Sequence, residues 1–134
     1  MVDRNGLPLS VTLSAANVHD NQMLLATVDA VVPIKRPRGR PRKRPAKLHA
    51  DKAYDSQALR AALRRRGITP CLARRRIESS ERLGRYRWVA ERTLSWLNRF
   101  RRLKVRYERR ADIHQAFLTL GCALICWRSV QQFC

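Results

Sequence analysis

Between Lys47 and Ala73 the chain alternates element types in a way few folds accommodate. Lys47-Leu48-His49-Ala50 reads as a short strand that ends at Asp51. Ser56 stands at a cap position, Gln57 to Arg66 reads as a helix, and Gly67 closes it as a C-terminal glycine. Ile68 to Ala73 is a second short strand. A strand–helix–strand order of this kind requires a sheet with helices against it. The flanking segments extend the pattern. Asn5-Gly6 precedes an alternating run from Leu9 to Leu13, a strong hairpin signal. Four residues precede Asn5, so the chain is expected to open at the end of a strand whose body lies upstream, or with a stub. Apolar residues from Gln22 to Val32 recur at helical spacing, with Asp20 or Asn21 as cap. Residues 74 to 85 read as a polar loop. Tyr86 to Leu103 predicts a helix of about five turns with a stripe of Val89, Trp96, Phe100 and Leu103. A last helix, Asp112 to Val130, is apolar on most faces and is expected in the core. The fold class is α/β with a mixed sheet.

Composition narrows the partner. The 134 residues make one domain or a piece of a larger one. They hold 29 Lys plus Arg against 10 Asp plus Glu, a net charge of +19, and 24 of the cations are Arg. A guanidinium fork holds two phosphate oxygens at once, so the excess favours a polyanion. A hydrophobic fraction of 45% excludes wholesale disorder. The longest apolar stretch, Ala116 to Trp127, covers 12 positions, fewer than a bilayer requires, and no signal peptide opens the chain. A soluble intracellular protein with no membrane partner is expected. Cys71, Cys122, Cys126 and Cys134 form no C-x-x-C pair and no ligand spacing with histidine, so they read as buried thiols.

Acidic residues are scarce enough to single out. Asp51 follows a strand directly, where side chains project into a crevice. Glu91 lies on a largely polar face of the long helix, away from Trp96 and Phe100. The two carboxylates could converge on a divalent cation of the Mg²⁺ type. On the residues alone the favoured reading is that Asp51 caps a turn and Glu91 pairs with Arg87. Two basic fields stand out. Residues 33 to 46 form a proline-punctuated basic linker containing Pro37-Arg38-Gly39-Arg40-Pro41, the core of an AT-hook. It reads either as minor-groove recognition or as a solvated loop touching phosphates, the latter being favoured. The second field includes Arg74, Arg75, Arg76, Arg99, Arg102 and Arg110, which could line a DNA channel. Trp88, Trp96 and Tyr107 read as core or hinge residues rather than stacking platforms.

Two runs carry a specific resemblance. Leu48-His49-Ala50-Asp51-Lys52-Ala53-Tyr54-Asp55-Ser56 resembles the second-aspartate motif of bacterial insertion-sequence transposases of the DDE class. Gly84-Arg85-Tyr86-Arg87-Trp88-Val89-Ala90-Glu91-Arg92-Thr93 resembles the glutamate helix of that family. Asn17-Val18-His19-Asp20 and the segment from Arg110 to Trp127 match its pattern as well. The resemblance implies a ribonuclease-H-like domain that cleaves and joins DNA strands with Mg²⁺ or Mn²⁺. It implies Asp51 and Glu91 as catalytic metal ligands, and Arg87 as a contact to DNA phosphate. Arg38, Arg40, Arg74, Arg75, Arg76, Arg99 and Arg102 are the further expected DNA contacts. Gly84 and Asn98 stand where relatives often have tyrosine and lysine, and no residue here matches the family's first aspartate. Asp3 reads as a turn former. The whole chain, 1 to 134, therefore reads as the C-terminal part of the catalytic domain, incomplete or inactive alone. The expected partners are DNA and either a second copy or a complementing upstream fragment, in a nucleoid-associated cytoplasmic setting. The rival reading is a small basic DNA-binding protein without enzymatic activity.

Overall fold

Strand β1 (Lys47–Ala50) pairs in parallel with β2 (Thr69–Leu72), Lys47 opposite Thr69 and Ala50 opposite Leu72. The computed structural model describes residues 1–35, 37–74 and 80–132, with the side chains of 80–86 outside the description. Helix α2 (Gln57–Arg65) joins the two strands, because parallel neighbours need a crossover. Its end shows why Gly67 is glycine. Gly67 has φ +71°, its N–H bonds to Arg64 O at 2.9 Å, and the Ile68 N–H bonds to Leu63 O at 3.0 Å. That is a Schellman ending, and the two residues its longer bond joins, Leu63 and Ile68, are among the largest fully buried side chains, at 0% and 1% exposure. Burial of that completeness contributes about 1.5–3 kcal/mol for each side chain. Ser56 occupies the cap position without a side-chain capping bond. The start of α2 is held instead by Arg60, whose Nη2 donates to Asp55 Oδ1 at 2.7 Å and to Leu72 O at 3.0 Å.

Helix α1 (Asp20–Asp29) begins two residues earlier than its apolar spacing indicates. His19 is its N-cap, so Asp20 lies in the first turn, where its charge complements the helix dipole, and is not the cap. Val28 and Val31 are buried. Arg66 donates from Nε and Nη2 to the two carboxylate oxygens of Asp29 at 3.1 and 2.8 Å, tying the ends of α1 and α2.

Two compact units divide the chain: Met1–Leu13 with Trp88–Cys134, and Ser14–Arg87. In the first, the Asn-Gly signal gives a hairpin. Gly6 at φ +84° follows a turn closed by its own N–H to Asp3 O at 3.2 Å, and the Asp3 N–H bonds to Leu7 O at 2.9 Å. Asp3 is the turn former, its Oδ1 accepting from Asn5 N at 2.8 Å and Leu7 N at 2.7 Å. A Cβ on Gly6 would lie 3.0 Å from Thr93 Oγ1, whose hydroxyl donates to Gly6 O at 2.6 Å. Pairing stops at a single antiparallel bridge, Val2 with Pro8, and the alternating run from Leu9 is no strand. Pro8 has no N–H to continue a ladder. The Leu9 N–H bonds to Met1 O at 3.0 Å, and Val11 O accepts from Gln115 Nε2 at 3.1 Å. Among the described residues the sheet is thus two parallel strands, not the mixed sheet expected.

Helix α3 (Ser80–Leu97) starts six residues before Tyr86, inside the segment read as a loop, and stops six before Leu103. At its end Arg99 N and Phe100 N bond three residues back, to Trp96 O at 3.2 Å and Leu97 O at 3.1 Å. That tight turn is followed by extended backbone at Phe100 and the short α4 (Arg101–Lys104). The break lets Phe100 and Leu103 fold back onto the buried cluster of Leu97, Cys122 and Ile125. Gly121 permits this approach, since a Cβ there would meet Leu103 Cδ1 at 2.8 Å. Helix α5 (Ala111–Gln131) buries only Gly121, Cys122 and Ile125. Ile113, Leu120, Leu124, Trp127 and Val130 are exposed, which corrects the expectation of a core helix. The apolar run of 12 positions is part of a 21-residue helix that is long and apolar enough, by length and composition, to cross a membrane. Cys71, Cys122 and Cys126 are free thiols, and burial pushes those of Cys122 and Cys126 up.

Candidate active site and nucleic-acid interface

Asp51 is the first residue beyond β1, and its backbone turns directly into a 3₁₀ turn over Lys52–Tyr54. One carboxylate oxygen, Oδ1, accepts from Lys52 N at 2.6 Å and caps that turn. The other, Oδ2, lies 3.7 Å from Arg87 Nη1 on α3. Asp51 therefore caps this turn, and its other oxygen lies half-exposed beside the Arg87 guanidinium. Tyr54 is half-buried beside it. Burial first, then the negative charges of Asp20 and Asp51, push its phenol above the ordinary value. Asp20 and Asp51 are thus electrostatic neighbours of one tyrosine, a proximity that sequence spacing could not reveal.

Glu91 is exposed on α3, one helical turn beyond Arg87. The turn that carries it is firmly held within its own unit. Thr93, buried, bonds to Gly6 O, and Arg92 Nη2 donates to Asn5 O at 2.7 Å. The Arg92 guanidinium stacks between Trp88 and Trp96, 4.4 and 4.9 Å from their ring centroids. Asp51 and Arg87 belong to one compact unit and Glu91 to the other, while α3 runs through both. The donor chemistry at Asp51, a half-exposed carboxylate at a strand end, fits a hard divalent cation, which accepts one or two protein carboxylates and completes its shell with water. Among the described residues no three His, Cys, Asp or Glu side chains gather around such an ion.

The basic residues separate into two kinds. Arg38 and Arg40 are exposed near the tip of a loop whose neck is closed by Ile34 and Arg42. Those two residues exchange backbone hydrogen bonds of 2.9 and 2.8 Å, a closure the linker reading of 33 to 46 did not foresee. Arg74 and Arg99 are exposed, and Arg75 and Arg76 lie outside the described residues. Arg102 is different. Its Nη1 donates to Glu108 Oε1 at 2.9 Å, and its guanidinium lies 5.7 Å from the Tyr107 ring and 5.5 Å from the Phe117 ring. Glu108 is 6% exposed and also meets His114 Nδ1 at 3.4 Å. Burial on its own would raise this carboxyl's pKa, but the bonds from Arg102, its own backbone and His114 outweigh that and hold it low. Sequence reasoning missed Glu108. Its signal was a lone acid in the cationic run Arg106-Tyr107-Glu108-Arg109-Arg110. Trp88 and Tyr107, read as core or hinge, are exposed.

Comparison with known proteins now decides the family. Residues 1–126 match the transposase DDE domain. The chain belongs to this family. Over 132 residues it is 54% identical to a Burkholderia cepacia protein that carries the name of a transposase for insertion sequence element IS402. That match takes in 98% of the chain and 63% of the relative's length, so the DDE-domain chain spans just under two thirds of that relative. No solved structure matches it. The aspartate and glutamate motifs named from the sequence both fall inside the matched residues.

Proposed function

We propose that this DDE-domain chain takes part in metal-dependent cleavage and strand transfer of insertion-sequence DNA, with Asp51 and Glu91 as metal ligands. One observation carries the reading. The runs carrying Asp51 and Glu91 both lie within the residues that match the transposase DDE domain, and the Asp51 carboxylate is half-exposed at the end of β1. Mg²⁺ or Mn²⁺, held by these carboxylates, would supply the activation of water or a DNA 3′-hydroxyl and the stabilisation of the leaving oxygen. Arg87, 61% exposed, is the cation best placed to meet a phosphate at that carboxylate. The outward arginines, Arg38, Arg40, Arg74 and Arg99, contact the duplex, joined by Arg75 and Arg76. Arg102 adds to that field from a position already bonded to Glu108. The fold this reading assumes is ribonuclease-H-like, with β1 and β2 as two strands of a larger mixed sheet. DNA is the partner in this reading, together with a second copy or a complementing upstream fragment, in a cytoplasmic, nucleoid-associated complex.

The test is DNA nicking at an insertion-sequence end in Mg²⁺ or Mn²⁺, with the part of the relative that the chain does not span supplied as a separate polypeptide. Asp51→Asn and Glu91→Gln are each expected to abolish nicking while leaving duplex affinity within about twofold, because neither removes a phosphate contact. Nicking that survives both substitutions would overturn the assignment and leave a basic DNA-binding protein.

A further inference from the structure

The loop from Ile34 to Arg42 is built differently from an ordinary solvated linker. Ile34 N donates to Arg42 O at 2.9 Å, and Arg42 N donates to Ile34 O at 2.8 Å. This closed pair of bonds fixes the neck of a narrow arch. A second set of bonds ties its trailing side to the end of α2. Arg42 Nε donates to Arg44 O at 2.9 Å, and Arg44 Nη1 donates to Arg66 O at 3.3 Å. Gly39 lies near the tip at φ +86°, with nothing within 4 Å of where a Cβ would be. Pro37 and Pro41 bracket Arg38-Gly39-Arg40 and limit the shapes the tip can take. Among the described residues neither Arg38 nor Arg40 has an ion-pair partner, and no acidic residue occurs between Asp29 and Asp51 in the sequence.

Two guanidinium groups flanking a glycine on a slender, pre-closed arch match one feature of duplex DNA. The minor groove is about 6 Å wide, too narrow for a helix but open to a single turn of backbone. The missing side chain at Gly39 lets that backbone approach the groove floor. Over A·T pairs the floor offers only acceptors, adenine N3 and thymine O2, and arginine is a donor with no acceptor. Over G·C pairs the guanine amino group is itself a donor and stands in the way. A·T tracts also narrow the groove and deepen its negative potential.

We propose that the Ile34–Arg42 arch is a minor-groove reading site for A·T-rich DNA, with Arg38 and Arg40 inserted on either side of Gly39. The proposal rests on the DNA-binding part of the reading above and adds sequence preference to it. It does not depend on Asp51, Glu91 or a metal.

Fluorescence anisotropy on the full chain without divalent metal, with A·T-rich and G·C-rich duplexes of equal length, tests it. The chain is expected to bind the A·T duplex about tenfold more tightly. Netropsin, which fills the A·T minor groove, is expected to remove that preference. The double substitution Arg38→Lys and Arg40→Lys keeps the charge and removes the fork. It is expected to bring the ratio near one while the salt dependence stays unchanged, because phosphate attraction counts charges. Equal affinity for both duplexes, or a preference that survives the double lysine variant, would overturn the minor-groove site and leave general DNA binding standing. Failure to bind either duplex would overturn both.

Discussion

The arch at 34–42 and the turn from 102 to 112 are both crowded with arginine, and they use it in opposite ways. In the turn, Arg102 bonds to the enclosed Glu108, Arg106 Nε donates to Glu108 O at 2.9 Å, and Arg110 grips both oxygens of Asp112 at 3.1 and 2.6 Å. Those cations organise the connection between α4 and α5. In the arch, Arg38 and Arg40 project with no acid near them in sequence, and only the backbone is closed. Arginine count alone therefore does not mark a nucleic-acid interface. What separates the two regions is whether an acidic residue is interleaved with the cations.

Substitutions in each region separate these two uses of arginine. The largest effect is expected at the turn. Glu108→Gln leaves Arg102 and His114 facing a neutral amide in an enclosed place, so the melting temperature should fall clearly while the salt dependence of DNA binding holds. A chain that melts as before would show that the turn's pairing is incidental. Next comes the arch. Arg38→Ala with Arg40→Ala should lower the slope of log affinity against log salt by about 2, one per lost phosphate or groove charge. Thermal stability should stay within about 0.5 kcal/mol of the parent, as for other exposed positions. Loss of stability instead would mean that these arginines hold the fold. A third effect is in the pH dependence. Glu108 titrates below its ordinary 4.5 in the folded chain, so its stabilisation is present above that value and is lost as the pH falls through the lower folded one. Asp29, bonded to Arg66, and Asp112, bonded to Arg110, are lowered too and act in the same direction. Acid unfolding followed by circular dichroism should begin below the ordinary carboxylate range, and Glu108→Gln should flatten it. The smallest effect is expected for Gly39→Ala, which meets no neighbouring atom and costs only about 1 kcal/mol for its positive φ. Differential scanning calorimetry reads it, and a loss several times larger would mean that the tip is packed.

Local chemistry was legible where it is written in neighbouring residues. Gly67, Asn5-Gly6 and the strand Lys47–Ala50 each determine their own geometry, and the structure places them where the sequence reading does. Boundaries set by tertiary contacts were not legible. Helix α3 ends at Leu97 because Phe100 and Leu103 fold back onto Cys122 and Gly121, residues far along the chain on another helix. Helix α5 reads as a core helix because its composition is apolar on most sides, and composition does not say how much packing material surrounds it. At the candidate site, the aspartate and its arginine were named from motif and spacing. The 3.7 Å contact between them and the neighbourhood of Tyr54 with Asp20 needed the structure.

The proposed function assigns Asp51 and Glu91 as metal ligands. Titrating substoichiometric Mn²⁺ into the isotope-labelled chain and following amide resonances tests it directly, since paramagnetic broadening reports distance to the ion. Amides at 49–52 and at 90–92 are expected to broaden together, and either Asp51→Asn or Glu91→Gln is expected to abolish the effect at both segments. Broadening at one segment without the other, or broadening indifferent to both substitutions, would contradict it.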